Sequence, residues 1–388
     1  MTLEALKEKE QAYLQPTYQR FEAAVEHGRG ATLWDGEGKR YIDFAAATSG
    51  VGCANPKWVD AVAVQAARLS GASHLVYTGP QALLAETLCV RSGMAAAFFA
   101  SSGAEGNEGM IKLARKYSFD KYGKGRGTIL TLWNSFHGQT VTTLSASGQE
   151  ELHQYFHPFN DGFRHAEPSM LGIEAVSGHD VCAVMLELVQ GETVHALDQD
   201  FVHDLAVLCA ERDWLLLIDE VQTGAGRTGS LFCYQQYGVR PDAVSFGGGM
   251  AGGLPLGGFL AGERCRGVLG IGDHGSTFGG NPVCAAAALA VLDILDDDTL
   301  AAVREKGEYL RTGIETLELD CLGNIRGLGL MLGVEVKKGY HPLELAATLA
   351  ENGLLVLPMA GGLRLLPPLT VTREELNLGL AVLKETLA

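Results

Sequence analysis

No pair of cysteines stands at metal-binding or redox spacing. The eight cysteines run from Cys53 to Cys321 without a CxxC pair or a Cys/His cluster, so neither a zinc site nor a disulfide framework is indicated, and they read as reduced, mostly buried thiols. Positive charge is scarce as well. Lys and Arg number 30 against 46 Asp and Glu, a formal net charge of −16, which opposes the phosphates of nucleic acid and of anionic membrane surfaces. No apolar run is long enough to span a bilayer, and the opening MTLEALKEKEQAYLQPTYQRF is too polar for a signal sequence, so a cytoplasmic location is expected. Repeats, low-complexity tracts and charge blocks are also missing, which leaves the rhythm of apolar runs and turn residues as the guide to organisation.

A chain of 388 residues, 47% hydrophobic with 50 glycines, is long enough for two domains sharing an interface. The rhythm is α/β. Apolar runs at Ala96–Ala100, Thr128–Leu132, Cys182–Leu186, Trp214–Ile218 and Ala243–Phe246 are bounded by turn residues and separated by helix-like segments, as in a sheet buried on both faces. After Asn281-Pro282 an Ala-rich helix is predicted, then strands at Leu328–Val336, Leu354–Leu357 and Leu363–Leu366 and a helix from about Thr372, together a smaller α+β domain. Leu33–Gly36 and Tyr41–Phe44 read as a strand pair packing on that domain.

Four segments carry candidate chemistry. Ser101–Asn107 follows an apolar strand and opens a helix, where free N–H groups favour a phosphate; a plain helix N-cap uses the same residues. Asp219-Glu220 ends the apolar run Trp214–Ile218, placing a carboxylate at the ligand edge of the sheet; an N-cap is again the alternative. Phe136-His137-Gly138 follows the strand ending at Leu132, so Phe136 either stacks on a flat ring or packs in the core, and His137 reads as a polar neighbour. The run Gly247–Gly253 lets backbone approach a ligand, but it is neither a P-loop nor a dinucleotide fingerprint followed by the required acid.

Taken in order, these segments resemble the class III aminotransferases, most closely the acetylornithine and ornithine enzymes. The match runs from Leu33-Trp34-Asp35-Gly36 and Tyr41–Phe44 through Ser102–Glu105, Phe136–Gly138, Glu187 with Gln190–Glu192, Asp219–Gly224 and Gly226–Gly229 to Ser276–Pro282 and Arg326–Gly329. The resemblance implies the pyridoxal-phosphate (PLP) transferase fold type I: an N-terminal segment over residues 1–44, a large PLP-binding domain over 45–283 with a mostly parallel sheet, and a small α+β domain over 284–388. It implies a homodimer that moves an amino group from an ω-amine such as N-acetylornithine to 2-oxoglutarate. By the same resemblance Ser102, Gly103 and Ala104 hold the phosphate, with Thr277 reaching it from the neighbouring subunit. Phe136 and Val221 flank the ring, with His137 beside them. Asp219 meets the ring nitrogen and Gln222 the ring hydroxyl. Glu192 and Arg364 form a gate that frees the arginine for a substrate carboxylate. No metal is implied.

Three positions depart from the family. The lysine that forms the Schiff base with PLP is replaced by Gly248, and no lysine occurs between Lys124 and Lys306 to take its place. Gln139 stands where an arginine usually binds a substrate carboxylate, a change worth about 1–3 kcal/mol for a lost charge-assisted hydrogen bond. The loop Ala45–Pro56 is shorter than the family's substrate loop and ends in Gly52-Cys53-Ala54-Asn55-Pro56 in place of a His-containing turn. Without the lysine, turnover is expected to fall steeply, since acid–base catalysis alone contributes about 10²–10⁴ in rate. A laboratory substitution, a natural paralogue serving as a regulatory or interaction subunit, and a working enzyme with altered substrate and a separate lysine change all remain open.

Overall fold

Strands that carry no polar face need cover on both sides, and the central sheet supplies it. Val181–Leu186 and Leu215–Asp219 are buried at every position. Successive side chains enter different cores: Leu216 and Ile218 join one cluster with Leu130, Val184 and Val244, while Leu215 and Leu217 join another with Ile111 and Met185. That is the period-two alternation of a strand sandwiched between helical layers. The computed structural model describes residues 1–388. Its seven-stranded sheet has the spatial order Ala96–Ala100, Gly257–Ala261, Ala243–Phe246, Leu215–Asp219, Val181–Leu186, Thr128–Leu132, Phe163–Ala166.

All of these strands run parallel except Gly257–Ala261, which is antiparallel to both neighbours. Connection length explains the exception. A parallel return needs a crossover of about a dozen residues or more, and only the short stretch Gly247–Leu256 links Ala243–Phe246 to Gly257–Ala261. The sequence reading named five strands of this sheet and missed two. Phe163–Ala166 is an edge strand, FRHA, with two polar residues in four, and Gly257–Ala261 opens on two glycines, so neither shows as an apolar run. Two strands shift by one residue, Cys182–Leu186 starting at Val181 and Trp214–Ile218 moving to Leu215–Asp219.

A separate core of 27 residues gathers the C-terminal helices Asp297–Thr316, Pro342–Glu351 and Arg373–Leu387 on an antiparallel sheet ordered Leu322–Leu328, Met331–Val336, Gly362–Leu365, Leu357–Met359. The expected strand Leu328–Val336 is the second arm of a hairpin whose turn holds Gly329 at φ 55°. Leu354–Leu357 splits into Leu354–Leu355 and Leu357–Met359, each in a different sheet. Leu363–Leu366 becomes Gly362–Leu365. Thr32–Asp35 and Arg40–Asp43 form an antiparallel pair, and Arg40–Asp43 then runs parallel to Leu354–Leu355. Phe44 is buried in this C-terminal core. The Ala-rich helix Pro282–Ile294 starts where Asn281 accepts from Val283 and Cys284 N–H. The final helix starts with a reciprocal cap between Thr372 and Glu375. No helix is long and apolar enough to cross a membrane.

Candidate active site

The parallel strands deliver the candidate residues to one edge of the sheet. Ser102 follows Ala96–Ala100, Phe136 follows Thr128–Leu132, Glu187 follows Val181–Leu186, Asp219 closes Leu215–Asp219, and Gly247 follows Ala243–Phe246. All are carboxyl ends, where open α/β sheets bind ligands.

Asp219 is the most heavily anchored group there. One carboxylate oxygen accepts Asn107 Nδ2 at 2.7 Å and His137 Nδ1 at 2.8 Å; the other accepts Val221 N–H at 3.0 Å and Ser245 Oγ at 3.2 Å. The side chain is almost wholly buried, so these donors replace the water it lost. Asn107 also donates to the His137 carbonyl at 2.7 Å, tying the helix Gly103–Tyr122 to the Phe136-His137 loop. Burial alone lowers the pKa of His137, but the hydrogen bond and charge of Asp219, with the charge of Glu187, outweigh it and raise it. His137 Nε2 and Asn107 Oδ1 are buried without a partner. The sequence reading placed Asn107 at the end of the Ser101–Asn107 segment and Ser245 in an apolar run, and assigned neither to Asp219. Asn107 lies one helical turn after Gly103, and Ser245 is the single hydroxyl of its strand, opposite Asp219 in register; only packing reveals that they converge.

Val221 lies at the same edge, between two glycine backbones. A Cβ on Gly103 would fall 2.4 Å from Val221 Cγ1, and one on Gly247 2.7 Å from the same atom, so both backbones press on this side chain where no other residue fits. Ser102 caps the helix by accepting Glu105 N–H at 3.3 Å. Ala104 lies beneath Gly138, where a Cβ would come within 2.7 Å of the Ala104 Cβ. Gly248 stands at the open side: a Cβ there meets only Leu254 O and Thr48 Cγ2, each at 3.9 Å.

Glu187 and Glu220 are both buried acids. Glu187 accepts Phe136 N–H at 2.9 Å and Gly191 N–H at 2.8 Å, and burial pushes its pKa up against the opposing pull of His137. Glu220 accepts the N–H groups of Cys233 and Tyr234 at 2.6 and 2.7 Å and the Thr223 hydroxyl; burial raises it to about 7.

Arg364 reaches this edge from the strand Gly362–Leu365. Its Nη1 donates to the Gly191 carbonyl, and lies 3.3 Å from both Glu192 Oε1 and Gln222 Oε1. Its Nε is buried and unpartnered. Glu192, Gln222 and Arg364 are thus brought together. Gln139 is exposed, between Gly138 and Thr140. Thr277 is exposed in a loop whose Ser276 lies 3.5 Å from Glu105, and it makes no hydrogen bond to the Ser102–Ala104 turn within the chain. Near the Ala45–Pro56 loop, buried Arg227 donates to the carbonyls of Ala46, Leu330 and Pro367; burial lowers its pKa to about 10.

The family profile described as "Aminotransferase class-III" matches residues 13–387. The acetylornithine aminotransferase of Haemophilus ducreyi is 46% identical over 396 residues, covering 100% of both chains. That of Caldanaerobacter subterraneus subsp. tengcongensis is 42% identical, covering 98% of each. Among solved structures, the ornithine aminotransferase of Toxoplasma gondii superposes with a TM-score of 0.94 at 28% identity, covering 100% of this chain and 95% of that one. The acetylornithine aminotransferase of Elizabethkingia anophelis superposes with a TM-score of 0.88 at 30% identity, covering 100% and 99%.

Proposed function

Because the chain belongs to the class-III aminotransferases, we propose that it binds PLP and recognises an ω-amine of the N-acetylornithine or ornithine type, with 2-oxoglutarate as the acceptor and Gly248 limiting its turnover. PLP is the cofactor of this family, and the architecture is fold type I. The observation that carries the reading is the convergence at one sheet edge of Val221, pressed by the Gly103 and Gly247 backbones, the buried Asp219 carboxylate that accepts the Val221 N–H, and the N-terminus of the helix Gly103–Tyr122. Those residues fit a flat, anionic, nitrogen-bearing ring.

When bound, PLP supplies the electron sink on which the amino group is exchanged. Backbone N–H groups at Ser102, Gly103 and Ala104 would hold its phosphate. Phe136 and Val221 would enclose the ring, Asp219 would face the ring nitrogen, and Gln222 the ring hydroxyl. His137, Asn107 and Ser245 hold Asp219 still. Arg364, once released from Gly191 and Glu192, would take a carboxylate in bidentate fashion. Gln139 offers a neutral amide to a second carboxylate. At Gly248 there is no side chain to anchor the cofactor or to carry a proton.

The exposed apolar side chains Leu75, Tyr77, Ile271 and Phe278 support a homodimer, with Thr277 serving the neighbouring subunit's phosphate site. A second reading, a PLP-binding subunit without turnover that regulates or scaffolds an active partner, is favoured by Gly248. The test is an absorbance titration of the full chain with PLP, then with N-acetylornithine, ornithine, γ-aminobutyrate and glutamate in turn. A persistent spectral change with one amine identifies the substrate; an unchanged spectrum on adding PLP overturns the cofactor assignment.

A further inference from the structure

Gly191 is held through both of its backbone polar groups, which belong to the two successive peptides that flank its Cα. Its N–H donates to Glu187 Oε1 at 2.8 Å, and its carbonyl accepts Arg364 Nη1. A Cβ at Gly191 would lie 2.3 Å from Gln222 Nε2, so this backbone also packs on the residue assigned to the ring hydroxyl. The other oxygen of Glu187 accepts the N–H of Phe136 at 2.9 Å. One buried carboxylate thus connects the loop that faces the ring to the carbonyl that holds the arginine. Glu220 provides the contrast. It too is buried and accepts two backbone N–H groups, but those belong to adjacent residues, Cys233 and Tyr234, and its remaining partner is the nearby Thr223 hydroxyl, so it fastens one short turn and reaches neither Phe136 nor the arginine.

We propose that Glu187 is a positioning residue that couples occupation of the ring slot to the release of Arg364, so that the cofactor and a substrate carboxylate do not bind independently. This rests on the PLP assignment above. A ring seated against Phe136 fixes that loop. Glu187 is fixed with it, and the Gly191 carbonyl stays aimed at Arg364. With the slot empty the loop is freer, and the arginine leaves its latch more readily for a carboxylate. The predicted coupling is negative and reciprocal.

Calorimetric titration of the full chain with PLP and with glutarate, each alone and each in the presence of the other, tests it. Glutarate is expected to bind about fivefold or more weakly once PLP is in place, a magnitude usual for coupled sites. Glu187→Gln keeps one oxygen acceptor but turns an amide N–H₂ towards the second backbone donor, so one of the two links breaks. In that variant PLP still binds, and the coupling is expected to fall below about twofold. Glu187→Asp, which keeps the charge on a shorter arm, should restore part of it; this variant serves in place of the first if Gln prevents folding. Independent binding of PLP and glutarate to the wild-type chain overturns the proposal while leaving the PLP assignment intact. So does full coupling in Glu187→Gln, because repulsion between the PLP phosphate and glutarate would then be enough to explain it. Failure of PLP to bind at all overturns the assignment and the proposal together.

Discussion

At the scale of single residues the decisive position is Gly248. Its backbone is not in the left-handed region, and a Cβ there meets Leu254 O and Thr48 Cγ2 only at 3.9 Å, an ordinary van der Waals separation. A side chain can therefore be restored without moving backbone. Gly248→Lys is expected to change unfolding free energy by less than about 1 kcal/mol, the scale of surface and loop substitutions. It should raise the rate of amino transfer from N-acetylornithine to 2-oxoglutarate by about 10² or more. Steady-state assays of the two chains side by side decide the matter; equal rates would show that Gly248 is not what limits turnover. The acid at Asp219 was legible in the sequence because it ends an apolar run. Its donors were not: Asn107 is one polar residue among several in a helix, and Ser245 one hydroxyl in a strand, and nothing local says that both turn towards the same carboxylate.

At the scale of elements, glycine fixes how closely the helix Gly103–Tyr122 approaches the strand Gly257–Ala261. A Cβ on Gly106 would fall 2.4 Å from the carbonyl oxygen of Gly258. In an exposed helix interior Gly→Ala stabilises by about 1 kcal/mol. Here Gly106→Ala is expected to cost about 2 kcal/mol or more, because the helix must move off the sheet to admit a methyl group; urea denaturation gives the sign directly. The buried turn at Glu220 sets a pH dependence. Its carboxyl is raised to about 7 in the fold from its ordinary value of 4.5, so the folded state holds a proton that the unfolded chain has lost between those two values. Its contribution is fully present below about pH 4.5 and is lost as pH rises to about 7, amounting to about 3 kcal/mol at most. Glu220→Gln cannot titrate. The stability of wild type relative to this variant should therefore fall as pH rises from about 4.5 to 7 in thermal melts, and a pH-independent difference would refute the linkage.

At the scale of the whole molecule, the C-terminal sheet reaches the site built on the central one. Arg364 on the C-terminal sheet contacts Gly191, Glu192 and Gln222, which lie in loops that follow strands of the central sheet. Arg227 stitches Ala46, Leu330 and Pro367 together nearby. The apolar side chains of Tyr77 and Ile271 have no cover within the chain. Sedimentation of the purified protein is expected to give a dimer, and Ile271→Asp, which puts a charge into that face, should shift it towards monomer at micromolar concentration. A wild-type chain that sediments as a monomer would refute the shared site.

The sequence by itself determined the α/β class, five of the seven central strands, the helices that begin after Asn281 and near Thr372 and the glycine at position 248, because periodicity, turn chemistry and residue identity are local properties. The tertiary structure alone decided the antiparallel strand Gly257–Ala261, the four donors around Asp219 and the link from Phe136 through Glu187 and Gly191 to Arg364. Those contacts join residues from separate loops and strands, and no local pattern encodes which buried donor meets which acceptor; packing brings them within hydrogen-bond distance, and the cost of an unpaired buried charge keeps them there.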